Sequence, residues 1–322
     1  MDSTLFIVSS PFQCLCMFEA IAHFNITQYD VLVLDIANGS TTTQTKSLLC
    51  ENKIPFLTYN VHHAIFDLLP FVLKKHKHYK NIFIGNYYNP TDEGIAAFYG
   101  SINYNLYFLD DGVQALSLFS NKPRNRYGKK KWEYWFKLYD ALGWIKGRRK
   151  PYFFTIFDVE SEKFSIVKNE FRLLRRNIYT QQAGCYIIGT NSSAVSFKDY
   201  TYDILLEQLL KRINVLYPNE KVYYCPHRRD SNNDDIAKWC SNHSIEWFST
   251  RVSVEYDFVT KEINPRCVVG FTSNALYTLK MIYPNNDVYT VDYQCVPQSY
   301  NEEISIIRQR MNEKGIDTLT LD

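Results

Sequence analysis

Short apolar segments alternate with helical stretches along most of the 322-residue chain. The segments are rich in Val, Ile, Leu and aromatic residues and are bounded by polar residues, which is typical of buried strands. Strands that alternate with helices are joined by right-handed crossovers, and this predicts a parallel, doubly wound sheet. The predicted strands are Leu5–Ser9, Val31–Ile36, Phe56–Tyr59, Ile82–Gly85, Asn105–Leu109, Tyr152–Phe157, Cys185–Gly189, Lys221–Cys225, Glu246–Phe248, Cys267–Gly270 and Asp287–Val291.

Helices are predicted between these strands, and a further helix over Glu162–Ile178 is expected to link two halves of the chain. At roughly 150 residues per domain, the length corresponds to two domains. We therefore expect an α/β protein with two Rossmann-like, doubly wound domains, 1–178 and 179–322, that face a central cleft. The other predicted helices begin at Pro11 or cover Thr43–Asn52, Ile65–Lys77, Thr91–Tyr99, Val113–Phe119, Tyr202–Leu216, Asp234–Asn242 and Ser273–Ile282.

Several classes of enzyme lack support in the sequence. No G-x-G-x-x-G follows the first predicted strand and no Walker A sequence occurs, which disfavours dinucleotide and P-loop enzymes. Two facing doubly wound domains would bring the carboxyl ends of their strands to one cleft, where open α/β sheets bind ligands. This geometry favours a nucleotide-sugar transferase of the GT-B type.

The compartment is predicted from what the sequence lacks. The N-terminus has neither the basic nor the apolar region of an export signal, and no segment approaches the roughly 20 apolar residues of a spanning helix. Eight cysteines are scattered without a C-x-x-C pair or a histidine at zinc-ligand spacing. We expect reduced thiols, a cytoplasmic location, no metal and no cofactor.

The formal net charge of +2 conceals an uneven distribution. Residues 122–150 contain eleven Lys and Arg against Glu133 and Asp140, a net +9, so the rest of the chain sums to −7. Aromatic residues such as Trp132 and Trp144 are interleaved with these cations, which is typical of a helix lying on an anionic membrane. A solvated helical face and an RNA-binding surface are the alternatives, although no RNA-binding signature is present.

Two aspartates follow directly after the predicted strand Asn105–Leu109. A carboxylate of Asp110 or Asp111 at this edge is suited to act as a general base towards a sugar hydroxyl, and Gly112 allows a sharp turn. The alternative is that one aspartate caps the next helix. A metal role is disfavoured because adjacent side chains diverge.

A cationic motif follows the strand Lys221–Cys225 in the second half. His227 can protonate or hydrogen-bond an anionic leaving group, and Arg228 can bind its oxygens. An exposed charged turn is the alternative. Glu255, further along the chain, is suited to accept hydrogen bonds from a ribose diol or to begin a helix.

Thr272, Ser273 and Asn274 follow the strand Cys267–Gly270 and open a predicted helix. Hydroxyls and backbone N–H groups at a helix N-terminus form a phosphate site. An ordinary N-cap serine is the alternative.

The order of these motifs resembles that of bacterial CMP-sialic acid-dependent sialyltransferases, especially glycosyltransferase family 52 and the related polysialyltransferases. Those families carry a D/E-D/E-G motif, an HP motif and an SS motif in this order. The opening SSPFQCLCMFEAI (9–21) and the segment CYIIGTNSS (185–193) are also similar to that group, so the resemblance covers nearly the whole chain. Two positions depart from the pattern, because Arg228 stands where the HP motif has proline and Thr272 replaces the first serine.

The resemblance implies a role for each motif. Asp110, favoured over Asp111, would be the general base, and His227 the general acid or phosphate stabiliser for departing CMP. Thr272 and Ser273 would bind the phosphate and Glu255 the ribose. Further donor-binding candidates are Gly189, Asn191, Arg228 and Asn274, and the acceptor-binding candidates are Ser10, Gln13 and Asn86.

We therefore expect an inverting, metal-independent transfer of sialic acid from CMP-sialic acid to a sugar hydroxyl of a bacterial surface glycan. The acceptor would be a galactose-terminated lipooligosaccharide, O-antigen or capsule chain. The alternatives are another donor such as CMP-Kdo, and a nucleic-acid- or membrane-binding protein on the same fold. The expected partners are the donor, the acceptor and, through 122–150, the anionic inner face of the bacterial inner membrane. No nucleic acid is expected, and a homodimer is left open.

Overall fold

The computed structural model describes residues 3–35, 39–60, 77–112, 118–119, 130–175, 181–193, 195–198, 200–228, 230–296 and 299–321. The chain divides into two compact units, unit 1 (Met1–Leu173) and unit 2 (Leu174–Asp322). Several predicted features lie partly or wholly outside the described residues: the strand Val31–Ile36, the helices over Ile65–Lys77, Val113–Phe119 and Glu162–Ile178, the stretch Lys122–Lys129 of the basic segment, and Arg229.

Unit 1 is built on a sheet with seven described strands, and all of their pairings are parallel. The strands are β1 (Thr4–Val8), β2 (Tyr29–Asp35), β3 (Leu57–Asn60), β4 (Tyr79–Ile84), β5 (Gly100–Leu109), β6 (Tyr152–Thr155) and β7 (Ser165–Lys168). Their order across the sheet is β3-β2-β1-β4-β5-β6-β7. The described helices are α1 (Pro11–His23), α2 (Gly39–Glu51), α3 (Pro90–Tyr99) and α4 (Lys130–Ile145), and the short α5 (Arg172–Arg175) lies at the boundary with unit 2.

The start of α1 shows how the sequence directs the local structure. All five residues of β1 are buried, and the chain turns into α1 at Ser10. The Ser10 hydroxyl accepts a hydrogen bond from the Gln13 N–H, and Pro11 occupies the first turn, where its missing N–H costs nothing. The predicted helix start at Pro11 is confirmed.

The predicted linking helix over Glu162–Ile178 is wrong. Residues 165–168 form β7, which pairs with β6 through Phe153 with Ile166 and Phe154 with Val167. The β-branched Ile166 and Val167 favour a strand, and pairing satisfies the backbone of β6, which would otherwise be an edge strand. Phe171 has φ 49°, so a helix cannot run through it, and the described residues up to Arg175 contain only the short α5 after it.

Unit 2 is built on a second parallel sheet, with the order β11-β10-β8-β12-β13-β15 among its described strands. These strands are β8 (Cys185–Ile188), β10 (Val222–Cys225), β11 (Glu246–Trp247), β12 (Cys267–Gly270), β13 (Asp287–Val291) and β15 (Asp317–Leu319), and β9 (Ser196–Phe197) pairs antiparallel with β14 (Cys295–Val296). The helices are α6 (Tyr202–Leu216), α7 (Asn233–Asn242), α8 (Val254–Thr260), α9 (Asn274–Ile282) and α10 (Ser299–Glu313).

The α/β class with two parallel, doubly wound sheets is confirmed. The bounds of α6, β12 and β13 agree with the prediction, whereas α10 and β15 were not predicted. Within the described part of the chain, no helix combines the length and apolarity needed to cross a membrane.

Lys146, a cation of the basic segment, points into unit 1. Its ammonium group donates hydrogen bonds to the carbonyl oxygens of Ala97, Phe98 and Gly100 at 2.7, 3.1 and 2.9 Å. These carbonyls belong to the last turn of α3 and the residue after it, where a cation also opposes the negative end of the helix dipole. Burial lowers the pKa of Lys146. Lys146 therefore caps α3 and is unavailable to an external partner.

We predict that Lys146→Met lowers the free energy of unfolding by about 1–2 kcal/mol, because three carbonyl oxygens at the end of α3, two of them in part-buried hydrogen bonds, lose their donor. Urea denaturation measures the change. Lys150→Met is the matched control, since this lysine is exposed and its contact with the Ser161 carbonyl is long, at 3.5 Å. Equal losses in the two variants would contradict the capping role.

Candidate functional site

Asp110 follows β5 and is completely buried, at 0% exposure. Its Oδ2 accepts a hydrogen bond from the Ile156 N–H at 2.7 Å, just after β6, and its Oδ1 has no hydrogen-bond partner in the described part of the protein. Burial raises the pKa of Asp110 to about 7, against the opposing effects of the Ile156 N–H, the Thr155 hydroxyl and the charge of Lys168. Asp110 therefore titrates near neutral pH inside the protein.

Asp111 is partly exposed at the same sheet edge. Its Oδ1 accepts a hydrogen bond from the Gln13 Nε2 at 2.7 Å, and the Gln13 Oε1 accepts from the Ser9 N–H at 2.7 Å and the Ser9 hydroxyl at 3.2 Å. Gln13 is fully buried, and a Cβ atom at Gly85 would lie 2.1 Å from its Oε1. Gln13 thus holds Asp111 in place, and only glycine after β4 leaves room for it.

A third carboxylate, Asp92, lies near this pair and was missed by the sequence analysis. Its Oδ2 accepts from the Asn86 N–H at 3.2 Å, and its Oδ1 accepts from the Asn89 Nδ2 at 2.6 Å. Burial and the neighbouring charge of Asp111 raise the pKa of Asp92 well above its usual range. The sequence does not distinguish Asp92 as a site residue, because acidic residues are common in the first turn of a helix.

The remaining acceptor-binding candidates, Ser10 and Asn86, are partly exposed at the carboxyl ends of β1 and β4. Both side chains stabilise local turns: the Ser10 hydroxyl caps α1, and the Asn86 Oδ1 accepts from the Tyr88 N–H at 2.8 Å. All the candidates of unit 1 therefore lie at the carboxyl edge of the sheet. Asp110 and Gln13 are buried, and Ser10, Asn86 and Asp111 are partly exposed.

The loops after β8 and β10 in unit 2 are joined by Asp230, which the sequence analysis also missed. Its carboxylate accepts from the N–H groups of Ser192, Ser193 and Asn232 at 3.0 to 3.1 Å and from the Ser192 hydroxyl at 2.7 Å. Burial acts to raise the pKa of Asp230, but these hydrogen bonds outweigh it and the pKa lies below its ordinary value. Asp230 is a fixed anion that shapes both loops.

His227 and Arg228 lie in the loop that Asp230 holds, His227 partly exposed and Arg228 exposed. The His227 carbonyl accepts hydrogen bonds from the Asp230 N–H and from the Asn233 Nδ2, both at 3.0 Å. Glu255 is buried at the start of α8; burial raises its pKa, and the charge of Arg228 acts in the opposite sense. The structure therefore brings Arg228 and Glu255 within electrostatic range of each other.

The loop after β12 presents Thr272, Ser273 and Asn274, all partly exposed. Ser273 caps α9, and its hydroxyl accepts from the Ala275 N–H at 3.3 Å. The Asn274 Oδ1 is buried and accepts no hydrogen bond from any described residue. The N-terminal N–H groups of α9 and these three side chains lie together just after β12, as the sequence predicts.

Gly189 and Asn191 follow β8. Gly189 is buried, and a Cβ atom there would lie 2.5 Å from the Tyr224 hydroxyl, so the position requires glycine. The Asn191 Oδ1 accepts from the Ser193 hydroxyl at 2.9 Å. Each donor-binding candidate of unit 2 thus lies at or beside the carboxyl edge of its sheet. No cluster of three or more His, Cys, Asp or Glu suited to a metal ion occurs among the residues that the structure describes.

Comparison with solved structures places this architecture among known folds. The GT-B domain of a sialyltransferase from Photobacterium damselae matches with a TM-score of 0.59 and 14% identity over 99% of this chain and 100% of that one. The chain has the GT-B fold. An α/β-galactoside α-2,3-sialyltransferase from Photobacterium phosphoreum matches with a TM-score of 0.54 and 13% identity over 98% of both chains.

An enzyme with an activity other than sialyl transfer also matches this fold. The UDP-GlcNAc 2-epimerase of Methanocaldococcus jannaschii has a TM-score of 0.58 and 12% identity over 99% of this chain and 88% of that one. No family model and no curated protein matches the sequence. At these identities the likeness establishes the GT-B fold, and the residues at the two sheet edges must carry any argument about activity.

We predict that Asp110 makes stability depend on pH. Its native pKa of about 7 lies above the ordinary value of 3.8, so the folded chain retains a proton that the unfolded chain releases. Stability from this group is therefore lost as pH rises from about 4 to about 7. Asp110→Asn removes that loss and should gain about 2 kcal/mol relative to the parent between about pH 5 and about pH 8.

Denaturation curves of both proteins at the two pH values measure the difference. Glu160→Gln, which changes an exposed carboxylate of the same unit, serves as the control and should follow the parent at both pH values. If the stability of Asp110→Asn changes with pH as that of the parent does, the pKa of Asp110 is not near 7.

Proposed function

We propose that the chain is an inverting, metal-independent glycosyltransferase that moves sialic acid from CMP-sialic acid to a sugar hydroxyl of a bacterial surface glycan. One observation carries the proposal. Asp110 and Asp111 lie beyond β5, His227 and Arg228 beyond β10, and Thr272 and Ser273 beyond β12. Motifs far apart in sequence therefore occupy the carboxyl edges of parallel sheets, where open α/β sheets bind ligands.

The general base in this proposal is Asp111. The sequence favoured Asp110, but that carboxylate is buried and one of its oxygens is engaged by the Ile156 N–H. Asp111 is partly exposed, and the amide of Gln13 fixes its orientation. A base must reach within hydrogen-bond distance of the proton that it removes, which favours the exposed carboxylate of the pair.

The donor would bind to unit 2. His227 would donate a hydrogen bond or a proton to the phosphate of departing CMP, and Arg228 would add positive charge. The hydroxyls of Thr272 and Ser273, with the N-terminal N–H groups of α9, would bind the phosphate oxygens. Glu255 would accept hydrogen bonds from the ribose. These groups balance the phosphate charge without a metal ion in the proposed mechanism.

A single displacement accounts for the expected stereochemistry. The acceptor oxygen, deprotonated by Asp111, forms the new bond to the anomeric carbon as the bond from that carbon to the CMP phosphate oxygen breaks. His227 donates a hydrogen bond or a proton to the phosphate oxygen of departing CMP. The configuration therefore inverts and no enzyme-bound sugar forms. A galactose-terminated acceptor is the expected class, and CMP-Kdo is the competing donor.

We predict that CMP raises the unfolding temperature more than UDP or RNA does, and that CMP is released from CMP-sialic acid in the presence of lactose. Asp111→Asn should lower this turnover by about 100-fold or more, because general-base catalysis is lost. It should keep the CMP-induced stabilisation, since the donor contacts lie in unit 2. Asp110→Asn is the matched control and should retain the larger share of activity.

The outcomes separate the alternatives. Full turnover of Asp111→Asn, or a larger loss in Asp110→Asn than in Asp111→Asn, would place the base elsewhere. Turnover with CMP-Kdo in place of CMP-sialic acid would identify the competing donor. Stabilisation by RNA without any effect of CMP would instead support a binding protein on the same fold.

We propose a membrane contact that involves only part of the basic segment 122–150. Trp144 and Ile145 at the end of α4 are 79% and 72% exposed, and Ile102 in β5 is 77% exposed. Arg149 and Lys150 are exposed next to them, whereas Lys146 is turned inward. Exposed apolar side chains beside cations suit the headgroup region of an anionic leaflet, so we assign the contact to the end of α4.

We predict that the protein sediments with phosphatidylglycerol vesicles and not with phosphatidylcholine vesicles. The double variant Trp144→Ser and Ile145→Ser should weaken this binding by about tenfold or more, since two large apolar side chains are lost from the interface. The control is Val215→Ser with Leu216→Ser, which removes adjacent exposed apolar residues from α6 in unit 2. Unchanged binding of the first double variant would refute the contact.

A further inference from the structure

Helix α10 is bonded to the loop after β13 through one arginine. The Arg308 guanidinium donates to the Asp292 Oδ1 at 2.6 Å and to the Tyr293 carbonyl at 3.2 Å, and a longer contact of 3.4 Å reaches the Val291 carbonyl. The Arg308 side chain is mostly buried. A planar guanidinium loses little freedom for each hydrogen bond that it forms, so Arg308 is suited to fix this loop.

A second side chain of α10 bonds to the same segment. Asn301 lies two turns before Arg308, and residues seven apart share one face of a helix. The Asn301 Oδ1 accepts from the Cys295 N–H at 2.8 Å, and its Nδ2 donates to the Cys295 carbonyl at 3.1 Å. The segment 291–295 is therefore bonded to α10 at both of its ends.

Tyr293 connects this segment to the loop after β12. The strands β12 and β13 are neighbours in the sheet, so the loops that follow them lie side by side. The Tyr293 ring contacts the Phe271 ring edge-on, with centroids 5.5 Å apart. Burial raises the pKa of Tyr293 to about 12, and the Thr272 hydroxyl and the Arg308 charge act in the opposite sense. The Tyr293 side chain thus interacts with two successive residues of the loop after β12.

The Tyr293 ring is itself held by its neighbours. The Arg308 guanidinium lies 5.7 Å from its centroid, and Phe197 contacts it with centroids 5.6 Å apart. Phe197 also contacts Phe271 at 5.8 Å, so the three rings pack on one another. In a closely packed group of this kind, a shift of one ring displaces the others.

The loop after β12 is the one to which we assign the donor phosphate. Thr272, Ser273 and the N-terminal N–H groups of α9 follow Phe271 directly. Such groups bind a phosphate tightly only when they are already directed towards its oxygens, because ordering them on binding costs affinity. A residue that fixes this loop can therefore raise the affinity for phosphate without touching it.

We propose that Arg308 is a positioning residue for the donor phosphate: it holds Tyr293 against Phe271 and Thr272 and so keeps the loop after β12 ready to bind. The proposal rests on the proposed function, because it takes this loop as the phosphate site. Asp292 balances the charge of Arg308, so the arginine acts by fixing the loop.

Calorimetry of the full chain with CMP and with cytidine measures what the phosphate adds to the affinity. The parent should bind CMP more tightly than cytidine. Arg308→Gln should lower the ratio of the two affinities by about tenfold, because hydrogen bonds to a charged phosphate lose their fixed geometry. Its affinity for cytidine should stay that of the parent. Arg310→Gln is the matched control on the same helix, since Arg310 pairs with the half-exposed Glu313, and it should keep the parent's ratio.

Tyr293→Leu removes the ring that contacts Phe271 and should lower the ratio as Arg308→Gln does, which provides a second variant should the first not fold. If the parent prefers CMP and both variants keep its ratio, the positioning role is wrong and the proposed function stands. An equal loss of CMP and cytidine affinity would also overturn the role, because Arg308 would then support unit 2 in general. A parent that binds neither ligand, or both equally, would overturn the proposed phosphate site and this role together.

Discussion

Loops at the carboxyl ends of parallel strands contain backbone N–H groups that need acceptors outside the sheet. In both units a buried carboxylate accepts from such groups. Asp110, after β5, accepts from the N–H of Ile156 after β6, and Asp230, after β10, accepts from the N–H groups of Ser192 and Ser193 after β8. In each case the two strands are neighbours in the sheet, so one carboxylate joins two adjacent loops. The positions of Asp111 and His227 depend on these two hydrogen-bonded joints.

The two carboxylates differ in protonation because they differ in the number of donors. Asp230 accepts from three backbone N–H groups and a hydroxyl, and its pKa is lowered in spite of burial. Burial raises the pKa of Asp110 to about 7, because the Ile156 N–H and the Thr155 hydroxyl do not outweigh it. Burial disfavours a charge, and only sufficient donors overcome it. The loops of unit 2 are consequently held by a permanent anion, whereas the loop after β5 is held by a group whose charge changes near neutral pH.

The sequence predicts those elements whose apolar pattern is strong. The bounds of α6, β12 and β13 follow from periodicity, whereas α10 is polar along most of its length and contributes few buried residues, such as Ile307 and Met311. The motif positions were found because polar residues directly follow apolar strands. Asp92 and Asp230 were not predicted as site residues. Asp92 lies near Asp111, and Asp230 binds the loop after β8, and only the fold brings these segments together. Lys146 illustrates the same limit: a sequence shows its charge, but only the packing of α3 against it shows where that charge points.

The pair Asp110 and Asp111 shows why one motif contains both a structural and a chemical group. Successive side chains at the end of a strand point in opposite directions, so two adjacent carboxylates cannot share one environment. Asp110 enters the interior and accepts from the next loop, and Asp111 remains at the edge, where Gln13 holds it. Gly112 then turns the chain with φ 87°, a conformation that suits glycine. If Asp110 were the exposed base, Asp111 would point into the interior, and the Gln13 amide would lose its acceptor.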